Sequence, residues 1–127
     1  MSDWHDMAQE AIDAAGVCLR RERPRSAASR SYYAMYAAIT DALIAEGMRP
    51  PAGRESWPHR RMPKLVTDHL QPRLGRGKAI DMRRMVGAAY KIRILADYAP
   101  SVTVDSQTAK RCLSDATAVL RHLGVSR

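Results

Sequence analysis

Arg93, Asp97 and Tyr98 are the residues of this chain whose types and spacing could do chemistry. A guanidinium stands four residues before a carboxylate, with a phenol beside it. On a helix of about 3.6 residues per turn the three fall within roughly a turn and a half. Such a group could stabilise developing negative charge, or it could be an ion pair that fixes packing. It lies near the end of Ala79 to Ala99, a long segment apolar on one side and basic on the other. His5, His69 and His122 are isolated and read as terminal, packed and exposed side chains respectively. Cys18 and Cys112 form neither a CxxC pair nor a Cys/His cluster, so both read as small buried thiols. No metal and no cofactor are expected.

The elements that position these residues follow from composition and periodicity. At 127 residues, 46% hydrophobic and 27% charged, the chain describes one globular domain over residues 1–127. Phe is absent, and Tyr, Met and many Ala take its place, which implies closely approaching helices. Alternating β-branched runs are scarce, so the class is all-α. No apolar run reaches the roughly 18 residues that a membrane span needs. The N-terminus lacks an apolar signal-peptide core, and with the two thiols this predicts a reduced, cytoplasmic setting.

A first helix is predicted from Asp3 to about Glu22, with Met7, Ala8, Ala11, Ile12, Ala15, Cys18 and Leu19 on one face. Trp4 and His5 fall at its frayed start. Pro24 breaks this helix or begins the next. A second helix runs from Ser26 to a C-cap at Gly47 and is apolar almost all round, so it is expected to be buried on several sides. Tyr32, Tyr33 and Tyr36 could be base platforms, but the favoured reading is core aromatics whose hydroxyls find polar partners. Arg30 leads into them, and Asp97 is its expected acid. Residues 47–58 form a Pro- and Gly-rich loop in which Trp57 is a plug or an exposed contact.

A short third helix follows from His59 to Leu70, its true start near Met62 because of Pro63. A second loop is expected over residues 71–78. The fourth helix spans about Lys78 to Ala99, with Ile80, Met82, Met85, Val86, Ala89, Ile92 and Leu95/Ala96 inward. A last helix starts near Thr103 or Asp105 and stops at Gly124. The expected architecture is an up-and-down bundle of four long helices plus one short helix.

Charge is unevenly placed. Between Arg54 and Arg93 there are eleven Lys/Arg and three acids, whereas the rest of the chain is neutral. This basic section fits an anionic partner such as nucleic acid, or a solvated surface. The nucleic-acid-binding candidates are Arg60, Arg61, Lys64, Arg73, Arg76, Lys78, Arg83 and Arg84. Arg73, Arg76 and Lys78 beside two glycines are similar to a phosphate-contacting loop, without Walker spacing.

Two segments, Ser29 to Tyr36 (SRSYYAMY) and Arg93 to Tyr98 (RILADY), stand with His59 at the opening of the short helix. Together they resemble the small prokaryotic HEPN-domain proteins, in the branch marked by SRxYYAxY, a histidine after a loop, and RxxxDY. The likeness extends from about Ala8 to Leu123. It implies a helical bundle that forms a homodimer through its central helices. Many family members are encoded beside a minimal nucleotidyltransferase in toxin–antitoxin or antiviral defence pairs. Active members are metal-independent ribonucleases that use an arginine and a histidine with four to six residues between. The pair assists attack of a ribose 2′-hydroxyl on the adjacent phosphate, which needs a proton shuttle and a cation.

Arg93 matches that arginine, but the three permitted histidine positions hold Tyr98, Ala99 and Pro100. Tyrosine, with an ordinary pKa of about 10, is a poor base at neutral pH. The one literal arginine–histidine pair at this spacing, Arg54 and His59, lies in the Pro-rich loop and reads as coincidence. The leading expectation is therefore a non-catalytic or degenerate HEPN module that binds RNA or a partner protein. Arg30, Arg93, Asp97 and Tyr98 form its structural polar network, with the Tyr98 hydroxyl as a cap. Loss of Asp97 would then strand a buried arginine, at about 3–5 kcal/mol. The alternatives are an endoribonuclease with a variant site at Arg93, Tyr98 and His59, and a protein-interaction subunit paired with a nucleotidyltransferase or another defence-system protein.

Overall fold

The computed structural model describes residues 3–125, and every regular element among them is helical. Four long helices, α1 (Asp3–Arg20), α2 (Pro24–Ala45), α5 (Arg76–Tyr98) and α6 (Ser106–His122), make the bundle. Two short ones, α3 (Met62–His69) and α4 (Gln71–Leu74), bridge α2 to α5. α2 is central and packs against α1, α5 and α6. Thirteen of its 22 residues are buried, which is what an all-round apolar helix demands.

The ends of the elements follow from local chemistry. Arg23 N–H reaches Cys18 O and Glu22 N–H reaches Leu19 O, closing α1 with Glu22 at φ 57°. Pro24 then starts α2, where a missing N–H costs little. Gly47 takes the same left-handed role after α2, at φ 85°. Asp105 caps α6 by accepting from Thr108 N–H at 2.8 Å, and these amide contacts hold its carboxyl below the usual range.

Several sequence expectations are corrected. α1 begins at Asp3 with Trp4 half-buried and edge-on to Tyr36, so the helix start is packed rather than frayed. Residues 71–78 are not a loop. Gln71–Leu74 form a helical turn with Pro72 in its first positions, and after Gly75 α5 starts at once. Met7 and Ile80 are half-exposed, because neither shares the inward face of its helix with the fully buried Ala8 and Ala79. Cys18 is only half-buried, whereas Cys112 lies in a small buried cluster with Ala28 and Val104, and burial pushes its thiol up to about 11. Trp57 is 3% exposed and plugs the core from the loop. No helix among the described residues is long and apolar enough to cross a membrane.

Candidate functional site

A polar seam joins α2 to the last turns of α5. Arg25, Ser29 and Tyr33 stand four residues apart, hence on one face of α2. The antiparallel partner face meets them in reverse order. The Arg25 guanidinium donates to Ala96 O at 3.0 Å, Leu95 O at 2.8 Å and Ala99 O at 2.6 Å, and also to Val102 O. Ser29 Oγ donates to Asp97 Oδ2 at 3.3 Å, and Arg93 Nη2 donates to Tyr33 Oη at 2.6 Å. The last carbonyls of a helix lack intrahelical partners and carry its negative end, so a cation there satisfies both needs.

Arg93 is the most committed residue of the seam. Its side chain is 12% exposed. Asp97 Oδ2 lies 3.1 Å from Nε but off the N–H direction, so this contact is an ion pair without a good hydrogen bond. The guanidinium carbon sits 5.2 Å from the centre of the Tyr33 ring and 5.5 Å from that of Tyr98. Burial by itself would lower the Arg93 pKa, but Tyr33, Tyr98 and Asp97 together hold it above the ordinary value.

The expected network is revised in two places. Arg30 is exposed and does not pair with Asp97, whose cation is Arg93 on its own helix. One step of about 100° turns Arg30 away from the face that Ser29 presents. Tyr98 is 69% exposed and offers Arg93 its ring rather than a capping hydroxyl. Arg25, not named among the expected residues, is the cation of α2 that joins the end of α5. Its signal was the four-residue spacing Arg25–Ser29–Tyr33 against Arg93–Asp97.

Beyond Tyr33 the seam opens into an aromatic cage around His59. This residue begins a 3-10 turn, His59–Arg61, that leads into α3. Its ring lies 4.4 Å from Tyr36, 5.5 Å from Tyr32 and 5.9 Å from Tyr33, and is nearly parallel to Tyr90 at 6.2 Å. Burial holds the Tyr32 phenol well above its usual range, so the hydroxyl keeps its proton, and it shares a 2.7 Å hydrogen bond with His59 Nδ1. Nδ1 is thereby engaged, and Nε2 has no protein partner among the described residues. Tyr36 Oη donates to Trp57 O at 2.6 Å and also pairs with Ser56 Oγ. Arg54 stays exposed on the loop, so the arginine whose charge reaches His59 is Arg93, from α5.

Burial, then the Arg93 charge, lowers the His59 pKa below its ordinary value near 6.5. Folding therefore favours the neutral ring. The contribution is complete above the unfolded value and is lost as pH falls through the lower folded one. We expect the melting temperature to drop between pH 7 and pH 5, and His59→Gln to flatten that drop. An equally steep drop in the variant would assign it to other groups.

The basic candidates divide by partner. Pro63 of α3 faces Gly87 of α5, and Arg83 donates to Thr67 Oγ1 at 3.0 Å, so the two helices run antiparallel in this register. Lys64 pairs with Asp68 at 2.6 Å. Arg84 turns to the other flank, 3.9 Å from Asp81 and within the field of Asp115 on α6. Arg73 donates to Leu123 O at 3.1 Å and ties α4 to the end of α6, which removes it from any phosphate loop. Arg60, Arg61, Arg76 and Lys78 are exposed. His69 and His122 are half-buried and lie apart from the cage. Among the described residues no group of three or more His, Cys, Asp or Glu is placed to hold a metal ion.

The family model of the HEPN domain matches residues 1–125. No curated protein matches the chain.

Proposed function

Since the chain belongs to the HEPN-domain family, we propose that it is a non-catalytic HEPN module that binds RNA as a homodimer. The observation that carries the reading is the register of α3 on α5. It sets Arg83 of α5 against Thr67 of α3, the helix that carries Lys64 and follows Arg60 and Arg61; all four cations are exposed, and we read them as one basic strip. The commitments of Arg93 to Asp97, Tyr33 and two ring faces support a structural rather than a catalytic part for it. Ile94, Leu95 and Tyr98 at the end of α5, and Val102 just beyond it, are exposed apolar residues, and they favour pairing of two copies there.

Binding through this strip is expected to be strongly salt-dependent. Four phosphate contacts to a single strand give a slope of about −3 in log K against log salt. Affinity for a short RNA should thus fall roughly 50-fold between 50 and 200 mM salt. Arg60→Glu combined with Arg61→Glu should remove at least half of that slope, since two of the four contacts are lost. Salt-insensitive association, or capture of a protein with no RNA binding, would instead favour the protein-interaction subunit, for example one paired with a nucleotidyltransferase of a toxin–antitoxin or defence system.

A second reading, a metal-independent endoribonuclease, rests on His59. Its Nε2 is uncommitted and its ring lies within the field of Arg93. Cleavage of RNA in the presence of EDTA, lost in both Arg93→Ala and His59→Gln, would establish it. Intact RNA from pH 6 to 9 would dismiss it.

A further inference from the structure

Tyr33, Tyr36 and His59 do more than close the cage. They also line an open cleft of about 660 Å3 between α1, α2 and the loop, to which α1 adds Trp4 and Glu10 and α2 adds Arg30. This volume suits a small planar ligand. We propose that the cleft receives one unpaired base of an RNA strand held on the basic strip, an inference that rests on the RNA-binding reading above.

The chemistry of the walls points to a base. Its lining includes four aromatic side chains, Trp4, Tyr33, Tyr36 and His59, and every base has a π-face to set against such rings. The lining also holds His59, whose Nε2 is uncommitted, the Ser56 hydroxyl and the Glu10 carboxylate, polar groups for a heterocyclic edge. The carboxylate argues against a bare phosphate in the same place, since like charges repel there. An apolar peptide side chain would leave Glu10 and Arg30 without partners at the mouth. Arg30 is exposed, has no acidic partner among the described residues, and sits where this cleft meets a second one lined by Ser29 and Asp97. It is placed for a phosphate flanking the inserted base. On the other side His59 is followed directly by Arg60 and Arg61, so the cleft and the strip are continuous along the chain. A base stacked in a duplex cannot enter, and the site therefore selects single strands.

The test uses a ten-nucleotide single-stranded RNA with a central 2-aminopurine, titrated with the full chain. Its fluorescence should be quenched on binding, and should not change when the same strand is presented as a duplex. Ala14→Phe fills the cleft from its α1 wall, and Arg30→Ala removes the flanking cation without touching the core. Ala14→Phe should reduce affinity about tenfold, as loss of one stacked base does, and abolish quenching, whereas Arg30→Ala should weaken binding and reduce quenching by loosening the flanking phosphate. Arg30→Ala keeps the test decisive if Ala14→Phe does not fold. Salt-sensitive binding with no quenching and no effect of either variant would overturn the cleft while leaving the RNA-binding strip intact. Failure of the strand to bind at any salt concentration would overturn both.

Discussion

Replacing Arg25 with alanine is expected to destabilise the fold by about 2–3 kcal/mol. A hydrogen bond from a charged donor is worth about 1.5–3 kcal/mol when shielded. Of the four carbonyls that Arg25 reaches, those of Ala96 and Ala99 are partly buried, whereas those of Leu95 and Val102 are exposed and can turn to water. The partly buried pair therefore sets most of the loss. Its consequence is local before it is global. The last turn of α5 carries Asp97 and Tyr98, and without the clamp that turn should fray and loosen the Ser29–Asp97 contact. Hydrogen exchange over residues 95–102 should accelerate in the variant more than elsewhere. Arg25→Lys should recover less than half of the stability, because a compact ammonium cannot spread over four carbonyls as a planar guanidinium does. Urea midpoints measured at constant m-value decide the matter. A midpoint shift worth less than about 0.5 kcal/mol would mean that water serves the end of α5 equally well.

Arg25 also marks the limit of what the sequence discloses. Its partners are backbone carbonyls, which every residue owns, so no residue type flags them. A search for the counterpart of Asp97 among side chains settles on Arg30, next to the tyrosines, and that choice fails by one helical step. Spacing held the answer that residue type did not. Positions 25, 29 and 33 share a face, and positions 93 and 97 share the opposing one.

Where patterning alone decides, the fold was legible. α2 is apolar all round and is the central helix, and the buried residues of α6, Ala109, Cys112, Ala116, Val119 and Leu120, recur at helical spacing, with Leu113 half-buried beside them. Asp105 and Gly47 mark helix ends by their own chemistry. Patterning misleads where an element is too short to show a period. The turn Gln71–Leu74 contains a proline and is followed by a glycine, both of which read as loop, although Pro72 is tolerated at a helix start. The cage was half visible. His59 and the tyrosines each stand out in the sequence, but their meeting depends on the path of the loop from Gly47 to Pro58. That path is set by Trp57 and Ser56 engaging Tyr36, contacts with no local signature.

Arg93→Ala is expected to destabilise by about 2–4 kcal/mol, more than either neighbour in its motif. The substitution removes a side chain that is 12% exposed, its bond to Tyr33 and its contacts with two rings. Asp97→Ala should cost only about 1–2 kcal/mol, below the 3–5 kcal/mol of a fully stranded buried charge. Asp97 is 30% exposed, and Arg93 keeps the Tyr33 hydroxyl and both rings when the carboxylate is gone. Tyr98→Ala should cost less again, since that ring is 69% exposed. A double-mutant cycle between Arg93 and Asp97 should return a coupling of roughly 1 kcal/mol. The same variant bears on His59, whose pKa the Arg93 charge helps to lower. Removing that charge should let the His59 resonance titrate closer to pH 6.5, with burial still holding it below. Loss of stability and upward movement of His59 together identify Arg93 as a joint whose field reaches the cage. An Arg93→Ala protein that melts as the parent does, with His59 unmoved, would contradict the joint and return Arg93 to the candidates for chemistry.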